Sequence, residues 1–98
     1  MKLRFTRRAL ANAKRIKTWW QKNRPAARDL FELELEAALD RIRATPILGS
    51  AYHARGFDVP VRRVLLPKTH NHVYYAVENG QIVVLAIWGA RKERGPVL

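Results

Sequence analysis

Apolar positions along this chain follow two rhythms, one helical and one strand-like. From Thr6 onward Ala9, Ala13, Ile16 and Trp20 recur three or four residues apart, with Leu10 and Trp19 on the flanks. Arg7, Arg8, Lys14, Arg15 and Lys22 fall on the opposite side, which predicts an amphipathic first helix with a basic outer face. Thr6 is placed to cap its first turn with a hydroxyl. The cations at the helix start oppose the helix dipole, at a cost of about 0.3–1 kcal/mol per charge at most. The basic face reads either as a solvated face or as a binding face. The short alternating stretch "KLRF" ahead of the helix reads as an edge strand.

"KNRPAARD" reads as a tight connection, and Pro25 suits the first turn of a second helix. That helix is predicted to run to about Ala44, because Pro46 disfavours helical geometry just before it. Leu30, Phe31, Leu35, Ala38, Leu39 and Ile42 give it a wide apolar face, while Asp29, Glu32, Glu36 and Asp40 form an acidic outer stripe. Two amphipathic helices joined by so short a link are expected to pack as an antiparallel hairpin.

After the second helix the rhythm changes. "PILGSAYHARGFDVP" has no clear period and reads as a loop, with room for a short edge segment around Tyr52 to Phe57. "VRRVLL" reads as a strand that Pro67 stops. In "HVYYAVENGQIVVLAIWGA", Asn79-Gly80 is the preferred pair for a two-residue hairpin turn, since both positions need positive φ. That turn places Val77 opposite Ile82, Tyr75 opposite Val84 and Val73 opposite Ala86, all on one face with Trp88. His72, Tyr74 and Ala76 share the other face with Val83, Leu85, Ile87, Gly89 and Arg91. Both faces of the last strand are apolar, which predicts a central place in the sheet. One face goes under the helical hairpin. Little chain remains to cover the other, so part of it is expected to stay open to a partner. The fold class is therefore α+β: an N-terminal edge strand, then an antiparallel helical hairpin packed on an antiparallel sheet of about four strands. Trp20, Phe31, Leu35, Tyr75 and Trp88 are expected in its core.

The chain has 98 residues, enough for one small domain over residues 1–98. Its formal net charge is +11 and its pI about 11.1, which suggests an anionic partner. The charge is uneven: the first 28 residues hold ten Lys or Arg and no acid, and residues 29–40 hold five acids. There is no cysteine, so disulfide and thiolate chemistry are out of reach. The basic start is followed by more charge and no apolar run, unlike a signal peptide. The longest apolar run, "IVVLAIW", is far short of the roughly 20 residues a membrane span needs, so no membrane partner is expected and the cytoplasm is the default location.

Residue types that serve catalysis are present without a visible arrangement. Ser50, His53 and Asp58 share one loop with nothing to orient them as a triad. His70 and His72 alternate, and with His53 they are candidate metal ligands. No Cys or carboxylate stands at a matching spacing, so neither metal nor cofactor is expected. No glycine-rich phosphate loop occurs. Arg63, His72 and Arg91 are candidates to converge on the open sheet face, where they would hold a phosphate backbone. Arg91, Lys92 and Arg94 form a basic segment after Trp88. The plain alternative for these cations is a charged rim that discourages edge pairing.

The order of elements, with "LRFTRRA", "FELELEAALDRIRATPILG" and above all "RRVLLPKTHNHVYYAVENGQIVVLAIWGARKERGP", resembles the RelE/ParE toxin superfamily of type II toxin–antitoxin systems. The resemblance spans essentially the whole chain. It implies a toxin neutralised by a cognate antitoxin, ParD-like or similar, with operator DNA contacted only through that antitoxin. RelE-like members cut mRNA at the ribosome; ParE-like members, the plasmid-stabilisation branch, poison DNA gyrase. Arg63 and Arg91 match two basic positions of the RelE-like cutters. His72 stands where an Arg is usual, Leu65 where a second basic residue is usual, and Val97 about where a Tyr is usual. Without that Tyr the best-placed acid/base is missing, although His72 titrates near neutrality. These departures favour the ParE-like branch: a non-enzymatic gyrase inhibitor docking through Arg91, Lys92 and Arg94. The alternatives are a RelE-like ribonuclease using Arg63, His72 and Arg91, and a basic nucleic-acid-binding module. An amphipathic, acidic antitoxin segment is expected to cover apolar surface exposed near Trp19, Tyr74 and Leu85.

Overall fold

The computed structural model describes all residues, Met1–Leu98. Strand β1 (Lys2–Phe5) leads into helix α1 (Arg7–Asn23), a single turn of tighter helix at Pro25–Ala27, and helix α2 (Leu30–Ala44). Strands β2 (Ser50–Tyr52), β3 (Val61–Leu66), β4 (Asn71–Glu78) and β5 (Gln81–Gly89) follow. Thr6 caps α1 as expected: the Ala9 N–H donates to its hydroxyl over 3.1 Å. Pro25 opens the separate tight turn, so α2 begins only at Leu30.

The five strands form one sheet in the order β1-β5-β4-β3-β2. This is one strand more than the sequence pattern suggests. The addition is β2, which pairs antiparallel with β3 at the far edge and covers Ser50–Tyr52, earlier than the segment expected around Tyr52 to Phe57. The N-terminal strand is an edge strand as predicted, but it runs parallel to β5; the other pairings are antiparallel. The connectivity permits the parallel pairing, since both helices and three strands intervene between β1 and β5.

One face of the sheet packs under the helices. Phe31, Leu35, Ala38 and Ile42 of α2 meet Val64, Leu66, Val73, Tyr75, Ile82, Val84 and Ile87 in one apolar core, with Trp20 packed at its margin. β1 accompanies β5 only from Gln81 to Val84. Past that point α1 covers the edge of β5 with side chains. The Thr6 hydroxyl donates to the Leu85 carbonyl, and the Ile87 N–H donates to Asn12 Oδ1.

The hairpin turn is as the sequence predicts: Asn79 and Gly80 have φ of 50° and 72°, and Val77 faces Ile82 and Tyr75 faces Val84. The register then slips. A bulge between Tyr74 and Tyr75 leaves Leu85 unpaired, so Tyr74 meets Ala86, Val73 meets Ile87 and His72 meets Trp88. The expected pairing of Val73 with Ala86 is thereby corrected. Ile87 turns into the helix-covered core, and Trp88 leaves it, being only partly buried.

The second face is also covered. Val61, Ala76, Val83 and Leu85 form a smaller core closed by Tyr52, Ala54, Phe57, Val59 and Leu98. The aperiodic segment and the C-terminal residue thus supply the cover that the sequence pattern did not reveal. No helix is long and apolar enough to cross a membrane.

Candidate functional site

The basic C-terminal segment is folded back onto the end of β5, and Trp88 is its anchor. The indole N–H donates to the Arg94 carbonyl over 2.8 Å, and Lys92 Nζ lies 4.1 Å from the ring centroid. From α1, the Arg15 guanidinium lies 5.8 Å from the same centroid. Arg91, Lys92 and Arg94 are all exposed. Because the bulge carries Trp88 out of the core, its ring is free to stack with cations.

Arg91 does not join Arg63 and His72. Its Nη2 sits 3.2 Å from Nε2 of His70, in the connection between β3 and β4. His70 is not on a strand: it has φ of 59°, and its carbonyl accepts from Ala90 N–H over 2.8 Å. The connection is held from below by Glu34 of α2. That carboxylate accepts from the Lys68 and Thr69 backbone N–H groups at 2.6 and 2.9 Å and from the Thr69 hydroxyl at 2.7 Å. Glu34 was not singled out in the sequence. The available signal was its offset from the acidic stripe, about 200° around a helix from Glu32 and from Glu36.

Arg63 and His72 do meet, among aromatic rings. Arg63 lies 5.2 Å from the Tyr52 ring centroid, and its Nη1 is 3.5 Å from the Tyr74 hydroxyl. Tyr74 makes edge-on contacts with Tyr52 at 4.8 Å and with His72 at 5.9 Å. Burial, then the nearby Arg63 charge, lowers the His72 pKa below its ordinary value. Both causes disfavour the charged form of His72. Leu65, opposite His72, is exposed, as is Val97. The three residues of the ribonuclease alternative are thus split between two places. His70 and His72 are likewise separated, so their alternation in sequence does not make a pair. Tyr52, which brackets Arg63, lay in the segment without a period and was not anticipated.

Of the residues expected to present apolar surface to an antitoxin, only Trp19 does so, at 48% exposure. Tyr74 and Leu85 are 3% and 7% exposed. The expectation of open surface there is corrected: Leu85 lies under the cover supplied by the aperiodic segment and Leu98, and Tyr74 is enclosed by Tyr52, His72 and Arg63.

Comparison with known proteins bears on this arrangement as a whole. No curated protein matches the chain. Among solved structures, a chain described as a chromosomal ParDE TA system from P. aeruginosa is similar with a TM-score of 0.70 and 20% identity, over 93% of this chain and 97% of that one. At that identity the likeness shows a shared fold. The family model for the ParE toxin of type II toxin–antitoxin system, parDE, matches residues 3–94, from β1 through the Trp88-anchored segment. The chain belongs to the ParE toxin family of type II toxin–antitoxin systems.

Proposed function

We propose that this toxin arrests growth by binding DNA gyrase, breaks no bond itself, and is neutralised by a ParD-like antitoxin. The observation that carries the reading is the Trp88-anchored segment, which holds the exposed Arg91, Lys92 and Arg94 in a defined place at the sheet rim. Preorganised cations bind an acidic surface with little ordering cost. An acidic antitoxin segment would meet a chain of net charge +11, with Trp19 the exposed member of the anticipated contact set. The test is purified toxin assayed in parallel for inhibition of gyrase supercoiling and for ribosome-dependent mRNA cleavage. Inhibition without cleavage is expected.

One observation favours the ribonuclease reading: Arg63 stands near His72, and burial and that cation disfavour the charged imidazole, which places a cation next to a proton acceptor. If that reading holds, codon-specific mRNA cuts appear in the second assay and vanish in His72→Ala.

A further inference from the structure

A groove of about 580 Å³ runs between the C-terminal half of α1, the connection from β3 to β4, and the basic segment. Its cations are Arg15, Arg24, Lys68, Arg91 and Lys92, with His70 among them, and no carboxylate lines it. All five cations are exposed. Like charges gathered on one surface favour an anionic occupant, and the nearby Glu34 carboxylate is already engaged by the Lys68 and Thr69 amides. The aromatic element is confined to one wall. Trp19 and Trp20 lie edge to face at 5.5 Å, and Arg24 covers part of Trp19 at 5.4 Å from its centroid. Nearly half of the Trp19 side chain remains open to solvent.

Two kinds of anionic polymer would answer such a charge. An amphipathic acidic helix needs a run of apolar sockets at helical spacing. The groove has only three apolar side chains, Ile16, Trp19 and Trp20, all on the α1 wall. The combination present is a half-exposed ring among cations, with Arg15 and Arg24 on its own wall and Lys68, Arg91 and Lys92 on the others, which is how unpaired nucleic acid is held: phosphates on the cations, a base on the aromatic face. We infer that this groove binds single-stranded nucleic acid, with phosphates along Arg15, Lys68, Arg91 and Lys92 and one base stacked on Trp19. A duplex would not satisfy it, because paired bases do not offer a free face to an indole on the groove wall. The inference goes beyond gyrase docking and is tested without gyrase or antitoxin, so the two readings fail separately.

The experiment titrates a fluorescein-labelled oligothymidylate with the full-length toxin and follows anisotropy at several salt concentrations. For three or four phosphate contacts the log–log salt slope should be roughly −2 to −3. Trp19→Ala should weaken binding roughly five- to a hundredfold, the usual range for one stacked base, while Trp19→Phe should retain most of it. Arg15→Glu and Arg91→Glu should each weaken it strongly. Arg41→Glu and Arg43→Glu, which change charge equally on the exposed side of α2, should do so only slightly. The inference is overturned if Trp19→Ala binds like the parent, or if the α2 reversals act as strongly as those in the groove. It is also overturned if oligoglutamate displaces the oligonucleotide at equal charge concentration, since the groove would then be a general site for acidic chains.

Discussion

Ile87 donates its backbone N–H to the side-chain carbonyl of Asn12 over 3.1 Å, across 75 positions of sequence. This bond replaces a strand. β1 stops pairing with β5 at Val84, and a buried amide beyond it would otherwise have no acceptor. Asn12→Ala should therefore destabilise the toxin by about 1–3 kcal/mol, the cost of leaving a buried donor unsatisfied. Asn12→Asp keeps an acceptor and should cost less. Urea unfolding of the variants checks the order.

Tyr75 plays a similar part at the other end of the sheet. Its ring is fully buried, and its hydroxyl donates to the Pro46 carbonyl at 2.7 Å while accepting from Gly49 N–H at 2.8 Å. It thereby ties the end of α2 to the start of β2. Tyr75→Phe should lose about 1–3 kcal/mol, because the Gly49 amide is left without a partner. Gly49→Ala tests the same contact from the opposite side. A Cβ there would sit 2.9 Å from the Tyr75 hydroxyl and 3.0 Å from the Arg63 carbonyl, which is backbone and yields little. A loss of roughly 1–3 kcal/mol is expected. A melting temperature equal to the parent's in both variants would mean the contact does not hold β2 in place.

Much of this fold is legible in the sequence, and what was not has definite causes. Both helical stripes, the Thr6 cap and the Asn79-Gly80 turn follow from local rules that the folded chain does not override. The bulge at Leu85 escapes detection because "VVLAI" is apolar at every position, so alternation carries no information about a one-residue slip. That slip takes Trp88 out of the core and sets it against the basic segment. The cover over Leu85 was hidden because an aperiodic segment shows its apolar face only once folded. The Arg91–His70 contact depends on a left-handed residue in the β3–β4 connection, which no spacing rule announces. The open apolar surface expected at Tyr74 and Leu85 is missing for the same reason: the chain itself closes that face.

His72 gives the toxin a pH signature. Its pKa is lowered in the fold, by burial first and by Arg63 second, so the unfolded chain binds the proton more readily. The sign follows directly. The stabilising contribution is complete above the unfolded value of about 6.5 and declines as pH falls below it. The decline levels off once pH passes the lowered folded value. His72→Gln should remove this component, so the variant should lose less stability than the parent between pH 7.5 and pH 5. Arg63→Gln should reduce the loss in part, since it removes the smaller cause. Denaturant midpoints at a series of pH values decide the matter, and identical slopes in parent and His72→Gln would sink it.

The basic segment should be separable from the fold by mutation. Arg91 and Arg94 are exposed, and the Arg94 contact with Trp88 uses its backbone carbonyl, which a substitution preserves. Reversing both charges should therefore change stability little, within about 0.5 kcal/mol for exposed positions. It should nevertheless abolish growth arrest and gyrase inhibition, if the cations dock the toxin. Trp88→Ala attacks the same surface differently. It keeps every cation but removes the indole N–H that holds Arg94 and the ring beneath Lys92. A half-buried Trp should cost less stability than the roughly 3–5 kcal/mol of a core aromatic, yet the released segment should bind its target weakly. Expression without antitoxin, with supercoiling assayed on purified variants, separates these effects. Full toxicity in the Arg91→Glu, Arg94→Glu double variant would remove the segment from the mechanism and shift attention to Arg63 and His72.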